Sequence, residues 1–361
     1  MGKIKFIAHY LPQYHQIPEN DEWWGKGFTE WTNTAKAKPL FKGHYQPHVP
    51  ADLGFYDLRL PQIREAQAEM AKEYGIYGFC YWHYWFGNGR RILELPFNEV
   101  LASKKPDFPF CLAWANQSWS GIWHGETDRI LIEQTYPGDD DYIAHFNFLM
   151  EAFRDERYIM VDGKPLFFVF MPTEIPDLKH FTELYTDLAI KNGFPGIHFV
   201  VTNVVTEWEP KQYNIDAISY SLLYKIWALL NPPEQKSNFF SFMKNRKARK
   251  FDLTCIDYSE AIKHLIYKEK PDSYYYPSVL PNWDNTPRSH TNGLIFHEST
   301  PDLFEQHLKE AIDIVKDYPD ENKIIFIKSW NEWAEGNHLE PDLKWGLKYL
   351  EKIKKYSDIR Y

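Results

Sequence analysis

The chain has 361 residues, of which 44% are hydrophobic, and it carries a formal net charge of −9. This composition excludes a disordered chain, and the acidic balance disfavours a general nucleic-acid or anionic-membrane surface. Every apolar run is shorter than the roughly 20 residues that a transmembrane helix needs, so no integral membrane segment is predicted.

Short apolar runs alternate along the chain with longer segments of helical periodicity. The predicted strands are Ile4 to His9, Ile76 to Tyr81, Phe110 to Trp114, Leu166 to Phe170, Ile197 to Thr202, Ala217 to Ser221, Tyr275 to Leu280 and Ile324 to Lys328. The predicted helices are Leu60 to Tyr74, Asn98 to Lys104, Asp141 to Phe153, Phe181 to Lys191, Thr206 to Tyr213, Ser259 to Lys268, Pro301 to Lys316 and Leu343 to Tyr356. Eight strand–helix units predict one α/β domain over residues 1–361, a single (β/α)8 barrel of the TIM type with long, aromatic-rich βα loops. An insertion at about 225–255 follows the sixth strand.

An open, doubly wound sheet is the competing architecture. Such a sheet would carry a glycine-rich, phosphate-binding turn after an early strand, whereas Tyr10 is followed here by LPQYH. The barrel is therefore the better prediction, and it places catalytic groups at the C-terminal ends of the strands.

Those predicted strand ends are rich in Trp, Tyr, His and Asn side chains. Indole and phenol rings stack on the C–H face of a sugar, while amide, imidazole and carboxyl groups hydrogen-bond its hydroxyls. The residues predicted to bind substrate are Tyr10, His15, Trp31, Trp82, His83, Tyr84, Trp114, Asn116, Trp119, Asn203, Tyr224, Trp283, Asn331, Trp333 and Glu340. The rim as a whole predicts a groove for an oligosaccharide or polysaccharide, although any single ring could equally pack the loops together.

Two glutamates, Glu332 and Glu335, follow the last predicted strand in the segment SWNEWAEG. Glycosidic cleavage needs such a pair. One carboxyl is protonated and donates its proton to the leaving oxygen, and the other is ionised and promotes displacement at the anomeric carbon. The alternative is structural, with Glu335 starting a helix and Glu332 pairing with a basic residue. Their position at the end of an eighth strand favours catalysis, and we expect their surroundings to push the two pKa values apart.

Three other clusters have structural explanations. His44 and His48 have the spacing of some zinc sites, but Pro47 breaks the helix that would align them, so loop hydrogen bonding is predicted instead. Asp139 to Asp141 are predicted to cap a helix start. Lys236 to Lys250 is predicted to be a solvated insertion, with a lid over glycan or a membrane contact as alternatives. No metal or cofactor is predicted.

The three cysteines bear on the cellular compartment. Cys80 and Cys111 lie in apolar runs, and Cys255 lies near a predicted helix start. The odd count favours reduced thiols, and the N-terminus lacks the pattern of a signal peptide, so a cytoplasmic protein is expected.

Several segments together resemble the WbsX-like proteins of bacterial surface-polysaccharide gene clusters, such as those for O-antigen, which are glycoside hydrolase family 99-like. The segments are YLPQYHQIPENDEWWGKGFTEWTN, HYQPHVPADLGFYDLR, YGIYGFCYWHYWF, FPFCLAWANQSW, VDGKPLFFVF and SWNEWAEGNHLEPD. The resemblance covers nearly the whole chain. It implies a barrel related to the retaining, endo-acting α-mannosidases of family 99, which use no metal.

Family 99 enzymes share the pattern N-E-W-x-E-G, which here begins at Asn331. The resemblance implies that Glu332 deprotonates the sugar's 2-hydroxyl to form a 1,2-anhydro sugar, while Glu335 acts as general acid and then as base. Gln117 departs from the WbsX-like pattern, which has Glu there, and this leaves the identity of the sugar open. A glycosyltransferase of polysaccharide biosynthesis and a non-catalytic glycan-binding barrel remain as alternatives, and the oligomeric state is left open.

Overall fold

The computed structural model describes residues 2–121, 129–221, 223, 226, 253–268 and 271–361. Its central sheet is built from parallel strands: β1 (Lys5–Tyr10), β2 (Gly78–His83), β3 (Phe110–Trp114), β4 (Lys164–Val169), β5 (His198–Val201), β6 (Ala217–Ile218), β7 (Tyr274–Tyr275), β8 (Ser278–Val279) and β9 (Ile324–Ile327). They follow the order β7-β6-β5-β4-β3-β2-β1-β9-β8. The sheet curls into the predicted TIM-type barrel.

One continuous segment carries both β7 and β8 and closes the ring, because β7 pairs with β6 and β8 pairs with β9. The Tyr276 N–H donates to the Ile218 carbonyl at 2.9 Å, and one residue later the Pro277 carbonyl accepts from the Phe326 N–H at 2.9 Å. Pro277 has no N–H to donate, which interrupts the ladder. The strand predicted from Tyr275 to Leu280 is therefore two short strands.

The inside of the barrel is filled by aromatic side chains. The His9 ring stacks on Trp82 at 4.9 Å and on Phe326 at 5.3 Å, and meets the edge of Phe168 at 5.0 Å. All four residues of β9 are fully buried. Strands buried on both faces read as continuous apolar runs, and this is why the sequence located them well.

Helices surround the sheet and occupy its loops. They are α1 (Pro18–Trp24), α2 (Glu30–Lys36), α3 (Pro61–Glu73), α4 (Leu95–Ser103), α5 (Asp139–Phe153), α6 (Leu178–Lys191), α7 (Tyr258–Ala261), α8 (Thr286–Ser289), α9 (Pro301–Val315) and α10 (Lys348–Ser357). The acidic residues Asp139 to Asp141 form the first turn of α5, where their charge favours the helix dipole as predicted, but the N-cap is Gly138 and no side-chain cap hydrogen bond is present. Helices α1 and α2, both in the loop after β1, were not predicted.

Three helix predictions need correction. The segment predicted from Thr206 to Tyr213 holds only the 3-10 turn Pro210–Tyr213, since Pro210 cannot supply the N–H that would join it to a preceding turn. The helix predicted from Ser259 is the single turn α7 followed by a 3-10 turn. The last helix begins at Lys348 rather than Leu343, after a turn in which Gly346 adopts a φ of 54°.

Three further expectations concern the insertion, membrane-spanning segments and the cysteines. Most of the predicted insertion at 225–255, with its basic stretch, lies outside the described residues. Within the described ranges, no helix combines the length and apolar character needed to cross a bilayer. Cys80 and Cys111 are buried free thiols, and Cys255 is an exposed one.

Candidate active site

The two predicted catalytic glutamates lie in a tight loop directly after β9. Asn331–Glu332 pairs antiparallel with Asn337–His338, and Trp333–Glu335 forms a 3-10 turn between them. Gly336 ends the turn at a φ of 65°, and a Cβ there would approach Asp284 to 3.0 Å, so glycine is required. Both glutamates are buried, with exposures of 7% and 6%.

Glu335 is paired with a buried guanidinium. Arg288 donates from Nη1 to Glu335 at 2.6 Å, and from Nε and Nη2 to Glu30 at 3.1 and 3.0 Å. Asn337 donates to the other Glu335 oxygen at 3.2 Å. Burial opposes charge on Arg288, but Glu30 and Glu335 outweigh it and raise the pKa of the guanidinium above its usual range. The cation therefore remains charged between two carboxylates.

Glu332 has a different environment. Its backbone N–H donates to the Ser329 hydroxyl at 2.8 Å, while its Oε2 is buried without a hydrogen-bond partner among the described residues. Burial, followed by repulsion from Glu335, raises the pKa of Glu332 to about 7, against the opposing charges of Lys328 and Arg288. A carboxyl with this pKa can exchange a proton near neutral pH, as a general acid or base must.

A pocket opens at the C-terminal ends of the barrel strands, beside this loop. Its lining includes His9, Trp82, Phe168, Phe170, Thr202, Ser219, Tyr220, Ser278, Leu280 and Lys328. The Lys328 ammonium lies 4.8 Å from the centre of the Trp283 ring. Neither Glu332 nor Glu335 lines this pocket, but the charge of Lys328 reaches Glu332. The pocket thus combines aromatic faces, hydroxyl groups and a cation.

A second group of rings lies close to Glu332. Burial and then the charge of Glu332 raise the pKa of the Tyr84 phenol well above its ordinary value. The Tyr84 ring meets Trp119 edge to face at 5.3 Å, and Trp119 approaches Trp23 at 5.9 Å. Among the predicted substrate-binding residues, Trp82, Tyr84, Trp119 and Trp283 therefore supply aromatic surface around the candidate site.

Other predicted substrate-binding residues are buried supports. They are Tyr10, His83, Trp114, Asn116 and Asn331, each with its polar atoms bonded inside the protein. Asn331, for example, accepts from the Leu11 N–H at 2.7 Å and donates to the Leu11 carbonyl at 3.0 Å. A residue's place at a strand end does not show which face it occupies, so contact of these five residues with substrate stays a prediction.

Glu340 and the rings around it support the loop that carries Glu332 and Glu335. The Glu340 carboxyl accepts from Trp333 Nε1 at 2.7 Å, Gln67 Nε2 at 2.6 Å and the Tyr56 hydroxyl at 2.8 Å. Burial raises its pKa to about 7, although these hydrogen bonds oppose the shift. Trp31 packs 5.6 Å from Trp333. Glu340, Trp31 and Trp333 are thus positioned to hold the loop.

Three further predicted residues complete the set. His15 is buried, and that burial lowers its pKa. Asn203, just beyond β5, has a φ of 54° and donates to the Phe170 carbonyl at 3.2 Å. Tyr224 lies outside the described residues.

Three charged residues of the site were missed by sequence reasoning. Glu30 stands among the aromatic residues of GFTEWTN, and Lys328 directly follows β9, so a search of strand ends could have found both. Arg288 belongs to α8, a single turn in a long loop, and carries no sequence signal. Its role follows only from the meeting of loops that are far apart in the chain.

The whole length of this barrel can be compared with known families. Residues 6–353 match the family model described as Glycosyltransferase WbsX. The chain belongs to the WbsX family. Relatives of this WbsX chain include WxcX of two Xanthomonas campestris pv. campestris strains, each 36% identical over 349 residues. The match covers 96% of this chain and 48% of each relative, so the chain spans about half their length.

Solved structures share the fold. The WbsX chain is similar to the GH99 endo-alpha-mannosidase from Bacteroides thetaiotaomicron, with a TM-score of 0.58 and 16% identity over 98% of this chain and 96% of that one. It is also similar to a glycoside hydrolase-like protein, with a TM-score of 0.58 and 14% identity over 99% and 95% of the two chains. At these identities, the likeness concerns the fold alone.

Lys328→Met is expected to raise the pKa of Glu332 further, because it removes a cation that favours the ionised carboxylate. A shift of about one pH unit or less is expected for a cation that is not hydrogen-bonded to the carboxyl. The protonated-carboxyl infrared band, after subtraction of the Glu332→Gln spectrum, measures the titration. Lys316→Met, which removes a partly exposed lysine at the C-cap of α9, should leave the pKa of Glu332 unchanged. A downward shift in Lys328→Met would contradict the assigned electrostatics.

Proposed function

We propose that this WbsX-family protein is a carbohydrate-active enzyme that cleaves or transfers an α-linked, mannose-like sugar within a glycan. One observation carries the proposal: two carboxyls in one buried turn at the barrel mouth have unlike surroundings. Glu335 is ion-paired with Arg288, whereas Glu332 has no ion-pair partner within the described part of the chain and has a pKa of about 7. Two neighbouring carboxyls in unlike environments are typical of active sites in which one acts as an acid and the other as a base.

The aromatic rings near the pair support a sugar substrate. Trp82 and Tyr84 lie on adjoining strand and loop positions at the mouth, with Trp119 and Trp283 beside them. Indole faces bury the C–H side of a pyranose, while the hydroxyls of Thr202 and Ser278 line the same pocket. An endo-acting enzyme needs such a surface on both sides of the bond that it cleaves.

In the first step of the proposed reaction, ionised Glu332 takes the proton of the sugar's 2-hydroxyl. The freed oxygen attacks the anomeric carbon, and the bond to the leaving oxygen breaks as protonated Glu335 gives that oxygen its proton. The product is a 1,2-anhydro sugar. With a pKa of about 7, about half of the Glu332 side chains are protonated at pH 7, and the step runs in the ionised fraction, whose carboxylate is a stronger base than an ordinary glutamate. In that fraction the proton of the pair lies on Glu335, which gives up its ion pair with Arg288.

In the second step, water or an acceptor hydroxyl attacks the anomeric carbon from the other side. Glu335, now ionised, takes its proton, and Glu332 returns a proton to the 2-oxygen as the three-membered ring opens. Two displacements retain the anomeric configuration. Arg288 also bonds Glu30, so the guanidinium keeps one anionic partner while Glu335 carries a proton.

A glycosyltransferase is the second candidate, favoured by the description of the matching family. It would use the same pocket for a sugar carried on a nucleotide or a lipid phosphate, with Lys328 as a cation near the leaving group. A glycan-binding barrel without activity is less favoured, because burying Glu332 Oε2 with no hydrogen-bond partner among the described residues costs free energy that simple binding does not require.

The test incubates the purified chain with α-mannooligosaccharides and with oligosaccharides from bacterial surface polysaccharides. We expect shorter glycans, with initial retention of configuration by proton NMR and label from 18O-water only in hydrolysis products. Parallel reactions supply nucleotide sugars with Mg²⁺ or Mn²⁺. Turnover only in those reactions would replace the hydrolase by the transferase, and glycan binding without turnover in any of them would contradict both.

A further inference from the structure

A second polar cluster lies behind the catalytic loop, in a cavity of about 160 Å³. Three buried side chains, His48, His338 and Asp342, each bring one potential ligand atom within 4.8 Å of the others. His48 comes from the loop after β1, and the other two come from the loop after β9. These residues take no part in the chemistry proposed above.

Both imidazoles are held in defined orientations. His338 Nδ1 lies 2.8 Å from the Glu340 carbonyl oxygen, so this nitrogen carries the proton and leaves the Nε2 lone pair free. His338 Nε2 then faces His48 Nδ1 at 2.8 Å. A backbone carbonyl on the far nitrogen is the usual way in which a metal-binding histidine is oriented.

The carboxylate is anchored just as firmly. Asp342 Oδ1 accepts from the backbone N–H groups of Lys344 at 3.0 Å and Trp345 at 2.6 Å. Its carboxyl is also hydrogen-bonded to the Tyr45 side chain. The nearby Lys344 ammonium would repel a bound cation. It lies over the Tyr45 ring at 4.5 Å and the Trp345 ring at 5.0 Å.

We propose that His48, His338 and Asp342 bind a divalent transition metal, Zn²⁺ in particular, with a fourth position open to the cavity. Two imidazoles and one carboxylate form a donor set that suits this ion. Ligand atoms around a tetrahedral Zn²⁺ lie about 3.3 Å apart, so the two ring nitrogens must separate by about 0.5 Å from their 2.8 Å contact. His48 moves its proton from Nδ1 to Nε2, without net proton release.

The metal would brace the catalytic loop. His338 stacks on Trp333 at 3.7 Å between ring centres, and Trp333 stands between the two catalytic glutamates in the chain. Backbone hydrogen bonds of 2.9 Å already join the two loops, from Ala51 to Pro341 and from Leu343 to Val49. A bound ion would tie these loops together through side chains as well.

The test titrates Co²⁺ into the full chain, free of any histidine tag and first treated with a chelator. We expect one Co²⁺ per chain, with the visible bands of a tetrahedral nitrogen and oxygen site. Sulfur-to-cobalt charge-transfer bands would instead reveal binding at the exposed Cys255 thiol. We also expect Zn²⁺ to displace Co²⁺ and to raise the thermal unfolding midpoint.

Matched variants separate this site from others. Asp342→Asn keeps an oxygen for the backbone N–H groups, and His338→Phe keeps a ring on Trp333, yet each should weaken Co²⁺ binding at least about tenfold. His297→Ala removes a histidine that lines the same cavity outside the trio, and should bind as the wild type does. If the folded wild type takes up no Co²⁺, or if His338→Phe and Asp342→Asn bind it equally well, the site does not exist.

Discussion

Glu332→Gln is expected to lower turnover by about 10²–10⁴-fold, the usual contribution of a positioned general acid or base. Gln keeps the size of the side chain but cannot take the proton of the 2-hydroxyl. Substrates with good leaving groups should not rescue this variant, because the lost step is formation of the nucleophile. Rates on natural and activated glycosides measure both effects.

Glu335→Gln should show the opposite dependence on the leaving group. Turnover of natural glycans should fall by a similar factor, whereas a nitrophenyl leaving group needs no proton, and its first step should be largely preserved. Glu207→Gln, in an exposed position of the loop after β5, is the matched control and should keep full activity. If the two variants exchange these behaviours, the pair is correct and the roles are reversed; near-normal activity in either would remove that residue from the mechanism.

The Glu332→Gln variant also has a test that needs no substrate. The pKa of Glu332 is about 7 in the folded protein, against an ordinary value of 4.5. Because the folded state then binds more protons than the unfolded state, the free energy of unfolding falls as pH rises between these two values. Glu332→Gln lacks this fall and should be more stable than the wild type above about pH 7, with the difference vanishing below about pH 4.5.

Arg288→Met is expected to be the most destabilising single change in the site, by about 3–5 kcal/mol at neutral pH. The substitution leaves Glu30 and Glu335 buried without the cation that they contact at 3.0 and 2.6 Å. Urea unfolding at pH 7 measures the loss.

Arg59→Met provides the comparison for Arg288→Met. Arg59 also pairs with a carboxylate, Asp57, but the side chains are 49% and 34% exposed. Solvent screens such a pair, so the expected loss is about 1 kcal/mol or less. Equal losses in the two variants would mean that the buried ion pairs of Arg288 contribute no more to the free energy of unfolding than a surface pair does.

The sequence located the strands and pointed to Glu332 and Glu335 for a simple reason. Barrel strands such as β3 and β9 are buried on both faces and appear as unbroken apolar runs, so their charged ends stand out. Glu332 and Glu335 lie directly after such a run. The geometry of the turn between them was not predicted, and it depends on Gly336 and its contact with Asp284.

Side-chain direction could not be predicted. Asn116 and His83 stand at strand ends as Trp82 does, yet both are turned into the protein and bonded there. Pro210 and Pro277 were visible in the sequence, and the helix and strand drawn through them gave too little weight to their missing N–H groups.

What the sequence determined by itself was the barrel and the identity of its acidic pair, since apolar periodicity and residue type are local properties. What only the tertiary structure decided was the charge environment of that pair. The ion pair of Arg288 with Glu335 joins residues 47 positions apart, and the contact of His48 with His338 joins residues 290 apart. Such meetings depend on how loops from different strands pack over the barrel mouth, and the pKa of Glu332 depends on that packing in turn.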